Sequence, residues 1–189
     1  MWWLERDPVR GFLGRIAGVI CMGGLAAGCF QPLYGEHSFA NSSASIGTAL
    51  SGVDVNQISA PSGSPEARVA VEVRNQLIFD MTGGAAPATP THRLAIRMSS
   101  TRLSVIVDIN SGRPDVEDYA LNVSYTLTEM KTGKPAITGS TFARVSYDIP
   151  GQAQRFARAR GLRDAENRAA KLIADNIRSR LASYFVAGT

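Results

Sequence analysis

Cysteine and histidine are scarce in this chain of 189 residues, which has two of each. That scarcity excludes most side-chain chemistry. His37 lies in a stretch without pattern and His92 opens a candidate strand beside Arg93. Neither has a Cys, Asp or Glu at metal-ligand spacing, and two Cys cannot build a zinc knot. Serine is plentiful, yet no Gly-x-Ser-x-Gly elbow occurs. Gly83-Gly84 lacks the Lys-Ser or Lys-Thr that would complete a phosphate-cradling loop. Asp115, Glu117 and Asp118 cluster just before a strand, where a solvated turn is the better reading than a weak cation site. No metal, cofactor or catalytic constellation is expected, and an enzyme is the weakest of the functional readings. Aromatics are only 7% of the chain, and nucleic-acid binding would want aromatic platforms interleaved with basic charge. Long apolar runs are missing too. The uncharged run from Ile16 to Gly28 falls short of the ~20 apolar residues that a membrane-spanning helix needs.

That short run has a use of its own. Arg6, Arg10 and Arg15 precede it and small residues close it, the pattern of an export signal. Leu25-Ala26-Ala27-Gly28-Cys29 resembles a bacterial lipobox, in which the thiol is acylated and becomes the new N-terminus. The usual Leu stands three before the Cys, whereas here Ala26 does and Leu25 is four before. Residues 1–28 are therefore expected to be removed as a lipoprotein signal peptide, taking Cys21 with them and leaving Cys29 as the lipidation site. The mature chain then has no free thiol, and its formal charge of +4 falls to +3, because three Arg and two acids leave with the signal. Phe30 follows the Cys where Asp would signal retention in the inner membrane, so the outer membrane, on its periplasmic side, is the expected location.

What remains divides by pattern. Residues 29–52, rich in Ser, Ala, Asn and Gly after the opening, read as a lipidated N-terminus and flexible tether. Residues 53–185 read as a single domain and 186–189 as a tail. Val53 to Asn56 alternates as a short first strand. Ser64-Pro65-Glu66 offers a helix N-cap, Pro at the first helical position and an acid in the first turn. Val69, Val73, Leu77 and Met81 then recur every four residues up to Gly83. Val69, Val71 and Val73 also alternate as a strand would, but the start and stop signals favour a helix. Leu94, Ile96 and Met98 share one parity and Leu103, Val105 and Val107 the other, which predicts a bulge near Ser99 to Arg102. Tyr119, Leu121, Val123, Tyr125 and Leu127 mark the clearest strand. Lys131-Thr132-Gly133-Lys134 is a hairpin tip, and Ile137 to Tyr147 returns antiparallel. Ala165, Ala169, Leu172, Ile173, Ile177, Leu181 and Tyr184 form a helical stripe, with Gly161 a candidate break.

Strand, helix, three strands, helix implies an α+β fold. The helices can bury their stripes only against one face of the sheet. The expectation is a two-layer sandwich, with two helices packed on one face of a mostly antiparallel sheet of about four strands. Charge is uneven: from Arg155 to Arg180 there are eight basic residues and three acidic ones. Arg93, Arg97 and Arg102 on the first meander strand, with Lys131 and Lys134 at the tip, are candidate anion contacts by charge and position. The Arg155, Arg158, Arg160 and Arg163 cluster is a second candidate. Each is individually consistent with an ordinary solvated face.

Cys29-Phe30-Gln31-Pro32-Leu33-Tyr34-Gly35 resembles the Cys-Gly-Phe-x-Pro-Leu-Tyr-Gly opening of lipopolysaccharide-assembly lipoproteins of the LptE type, less the Gly after the Cys. The element order matches as well, as does the ending from Arg168-Ala169-Ala170 through Arg180 to Phe185. The resemblance implies a non-catalytic outer-membrane lipoprotein that plugs and helps assemble the large lipopolysaccharide-translocating β-barrel, LptD, and aids insertion of lipopolysaccharide into the outer leaflet. It implies no cofactor beyond the covalent lipid on Cys29, and no nucleic-acid partner. On it, the candidate cations would meet the phosphates and sugar acids of lipopolysaccharide. The alternative is a generic periplasm-facing lipoprotein that binds cell wall or another envelope partner.

Overall fold

The computed structural model describes residues 46–149 and 155–187 except Pro87 and 108–113, and all the described elements fall within one compact unit. At Ile106, Val107, Pro114 and Arg155 it describes the backbone alone. The signal peptide, the lipobox and Cys29 lie outside the described residues.

The chain order is α1 (Ile46–Ser51), β1 (Val53–Val55), α2 (Pro65–Thr82), β2 (His92–Val107), β3 (Pro114–Glu129), β4 (Pro135–Asp148) and α3 (Arg155–Ala187). Apart from α1, this is the expected strand, helix, three strands, helix. Four strands form one sheet in the order β1-β2-β3-β4, with β1 parallel to β2 and the other pairs antiparallel. Helices α2 and α3 pack against each other and cover one face.

Helix α2 wins over the competing strand pattern because both ends are capped. The Ser64 Oγ accepts from the Ala67 N–H at 3.2 Å, and Pro65 occupies the first turn. Gly83, at φ 62°, closes the other end with its N–H on the Phe79 carbonyl at 2.8 Å. Val69, Val73, Leu77 and Met81 are all buried, as the spacing predicts.

Helix α1 corrects the tether. Ile46 and Leu50, one turn apart, are both buried and α1 packs against α2 and α3, so ordered structure reaches into the stretch expected to be free. Two apolar residues in a polar run are a weak signal until there is a surface to receive them. Gly52 then turns the chain, its carbonyl accepting from the Thr91 N–H at 2.8 Å.

The bulge near Ser99 to Arg102 is also corrected. Pairing of β2 with β3 runs unbroken from His92↔Glu129 to Ser104↔Glu117, and the register shifts lie between Ser104 and Val107. The switch of parity has another cause. Leu103 and Val105 stay on the outer face, 64% and 53% exposed.

Helix α3 is continuous through Gly161, so no break occurs there, and it reaches Ala187 across the expected tail boundary. Its inner face is narrow. Ala165, Ala169, Ala170, Ala174 and Ala182 are fully buried beside Ile173, Ile177 and Leu181, and alanine lets the helix backbone approach the sheet. Leu172, expected in the stripe, is instead 47% exposed. Opposite α3, Gly139 pairs with Tyr125, and a Cβ on Gly139 would lie 2.7 Å from the tyrosine oxygen. Only glycine lets that ring cross β4. Among the described residues no helix is long and apolar enough to cross a membrane.

Candidate functional site

With both helices on one side, none of the described elements covers the other face of the sheet. Successive side chains of a strand alternate faces, so odd-numbered residues of β2 and even-numbered residues of β3 and β4 look outward. Register aligns them in rows: Ala95, Thr126 and Thr138; Arg97, Ser124 and Ser140; Ser99, Asn122 and Phe142; Thr101, Ala120 and Arg144. The two middle rows line a shallow, open concavity of about 470 Å³. Hydroxyls, an amide and the Arg97 guanidinium offer hydrogen bonds there, and the Phe142 ring, 70% exposed, offers an apolar platform. Such a surface can hold a polyanionic or sugar-bearing ligand by charge-assisted hydrogen bonds.

The structure divides the candidate cations. Arg93 and Arg97 share the outer face, four residues apart on one strand and so about 13 Å from each other. Arg93 faces Asp54 at 3.5 Å, whereas Arg97 has no ionic partner among the described residues. Lys131 and Lys134 are exposed at the tip between β3 and β4, which Glu129 shapes: its N–H donates to the Lys134 carbonyl and its carboxylate accepts from the Thr132 hydroxyl. The Met130 N–H donates to the Thr91 carbonyl at 3.0 Å, so the tip lies at the Arg93 end of the sheet.

Arg102 does not join them. Its even position puts it on the helix side, where with Glu66, Ser100, Thr101, Glu117 and Arg158 it lines a separate polar cavity of about 450 Å³. Hydrogen bonds from its own N–H and from the Ser100 hydroxyl hold the Glu66 carboxyl below its ordinary range. Arg158, of the second cluster, binds Glu117 at 3.1 Å and is spoken for, while Arg160 and Arg163 stay exposed.

Glu117 corrects the reading of Asp115, Glu117 and Asp118 as a solvated turn. Only Asp115 is exposed. Glu117 is 8% exposed, accepts from the Tyr147 hydroxyl and pairs with Arg158, fastening the start of α3 to the sheet. Asp118 accepts from the Ser146 hydroxyl at 2.6 Å. A comparable clamp joins α2 to α3, where Arg68 binds Glu166, itself 4% exposed, and the Asn167 side chain at 3.1 Å. His92 packs edge-on against Phe185 and Tyr184, and burial lowers its pKa. Among the described residues no group of His, Cys, Asp and Glu could hold a metal ion.

Phe142 and Arg144 escaped the sequence reading. The signal was present, because Phe142 is out of phase with Ile137, Ala143, Val145 and Tyr147 in an alternating strand. It became meaningful only once the uncovered face was known.

A helix-backed antiparallel meander with a bare polar face, held by structural ion pairs, is the class of protein this fold defines. The chain belongs to the LptE family, described as lipopolysaccharide-assembly, whose profile matches residues 50–181. That family consists of membrane-associated, non-catalytic lipoproteins without a cofactor, which partner with components of the lipopolysaccharide translocon. Solved structures share the fold. Rare lipoprotein B from Shewanella oneidensis is 16% identical, with a TM-score of 0.50 over 71% of this chain and 96% of that one. Lipoprotein B from Nitrosomonas europaea is 14% identical, with a TM-score of 0.50 over 80% and 95%. A Caulobacter crescentus protein designated a lipoprotein is 19% identical, with a TM-score of 0.59 over 76% and 97%. No curated protein sequence gives a significant match.

Proposed function

We propose that this chain is an outer-membrane lipoprotein, acylated on Cys29 after removal of residues 1–28, that sits within the lumen of the lipopolysaccharide-translocating β-barrel LptD. There it helps the barrel assemble and helps lipopolysaccharide reach the outer leaflet. One observation carries the reading: a member of the lipopolysaccharide-assembly family has a sheet face that no described element covers, lined with hydroxyls, Arg97 and Phe142. Barrel lumens are polar, so a sandwich with a polar outer face can be held inside one. Arg93, Arg97, Lys131 and Lys134 are the cations assigned to the phosphates and sugar acids of the glycolipid. Arg102 lines a separate polar cavity on the other face.

Gentle detergent extraction and affinity capture of the chain should bring a β-barrel with it. Recovery with cell wall and no barrel would replace this reading with that of a generic envelope lipoprotein. Reversing charge together at Arg97, Lys131 and Lys134 should weaken capture of purified lipopolysaccharide, each charge-assisted hydrogen bond contributing on the order of 1.5–3 kcal/mol. Unchanged capture would remove these residues from the site.

A further inference from the structure

Strand β4 ends the sheet, and one bond sets its parity. The Ile149 N–H donates to the Asp115 carbonyl at 2.7 Å. Both backbone groups of a residue in an antiparallel ladder point the same way, and alternate residues point oppositely. Odd-numbered residues from Ile137 to Tyr147 therefore bond to β3, while Thr138, Ser140, Phe142, Arg144 and Ser146 turn their N–H and C=O groups away from the sheet. Among the described residues, the one partner of these outward groups is Arg168, whose Nη2 lies 3.3 Å from the Ser146 carbonyl.

The opposite border of the sheet is guarded at its two ends. β1 covers the start of β2, and the register shifts between Ser104 and Val107 disturb its far end. Such irregularity is how natural edges discourage further pairing. Pairing of β3 with β4 is regular from Val116↔Asp148 to Leu127↔Ile137, and among the described residues no strand pairs with the outer edge of β4.

A groove of about 550 Å³ runs along that border between Arg144 and Val145 of β4 and Arg168, Lys171, Leu172 and Asp175 of α3. Its floor includes the half-exposed Leu172. Three cations, Arg144, Arg168 and Lys171, line it against one acid, Asp175. Asp164 lies 2.7 Å from Arg168 and Asp118 3.9 Å from Arg144, and neither Lys171 nor Asp175 has an ionic partner among the described residues.

We propose that β4 accepts an extended acidic segment of another protein as a fifth strand. About six residues of the segment, an ordinary strand length, bond to the outward backbone groups from Thr138 to Ser146. Carboxylates on one face of the added strand meet Lys171 and Arg168, those on the other meet Arg144, and an apolar side chain covers Leu172. Main-chain bonds supply affinity and the flanking cations supply selectivity, as in other strand additions. A second copy of this chain suits the edge less, because it would set the same cations against each other. This edge does not use Arg97, and it stands or falls apart from glycolipid capture.

The test uses the full chain in detergent and three synthetic peptides. One carries Glu on both strand faces around a central Val, the second replaces Glu by Lys, and the third is the first N-methylated on every amide, so that neither edge can donate. The acidic peptide should bind and shift the backbone amide resonances of Ser140, Phe142 and Arg144. The Lys peptide and the N-methylated peptide should each bind about tenfold more weakly or worse, a loss of at least ~1.4 kcal/mol. Ser140→Pro removes one outward N–H while sparing the ladder to β3 and should weaken binding similarly, as should Arg144→Glu with Lys171→Glu. Equal binding of the N-methylated peptide to the unaltered protein would overturn strand addition, whether or not the variants fold. Equal binding of the Lys peptide, no binding at all, or pairing of two copies through β4 would overturn the acidic partner.

Discussion

Glu117 shows how one residue can be misread along the chain and understood in the fold. Three acids within four positions look like a wet turn, yet strand alternation sends Asp118 outward and Glu117 inward, to Tyr147 and Arg158. Burial, then the hydrogen bond to Glu117 and its charge, push the Tyr147 pKa from its ordinary 10.0 up to about 12. Burial raises Tyr119 and Tyr125 as well. The sign follows from linkage. Between pH 10 and 12 the folded chain keeps a proton that the unfolded chain has released. The stability tied to Tyr147 is thus complete below about pH 10 and is lost as pH rises through about 12. Phenolate absorbance followed against pH should show a late-titrating tyrosine, and Glu117→Gln should move that titration to lower pH by removing the neighbouring charge. An unmoved titration would separate the two residues.

At the scale of elements, end signals outweighed internal pattern. Val69, Val71 and Val73 suit a strand, and β-branched residues are mediocre helix formers. Ser64, Pro65 and Gly83 nonetheless mark a helix, and burial of Val69, Val73, Leu77 and Met81 confirms its inner face. Ser64→Ala should cost about 1 kcal/mol by leaving the Ala67 N–H without its cap. Denaturant unfolding would show this as a lower midpoint at unchanged slope, and an unchanged midpoint would show that the cap is dispensable here. Pattern failed at β2 because the inference assumed that every apolar position is buried. Leu103 and Val105 are not, and an exposed aliphatic on a sheet face is common enough that parity alone could not place a bulge.

For the whole molecule, the expected arrangement is a folded sandwich attached to a membrane by acyl chains on Cys29. Each buried CH₂ contributes ~0.8 kcal/mol, and more than one chain is needed for stable anchoring. Cys29→Ala should shift the protein from the membrane fraction to the soluble fraction with its fold intact, as read by fractionation and circular dichroism. Retention in the membrane would remove the lipid-anchor proposal.

Much of this architecture was legible because periodicity reports local geometry directly. A period of two in Tyr119 to Leu127, a four-residue recurrence in α2, and the tip from Lys131 to Lys134 each follow from backbone stereochemistry within a few residues. The α+β class follows from them, since helical stripes need a sheet to cover. The candidate site was legible only in part: Arg93, Arg97, Lys131 and Lys134 could be chosen by charge, but not told apart from Arg102. Which face each side chain occupies depends on where the helices come to lie, and that is settled by contacts between residues far apart in the chain. Packing across those distances buried Ile46 and Leu50, drew Glu117 and Glu166 into ion pairs, left Phe142 bare, and left one edge of the sheet open.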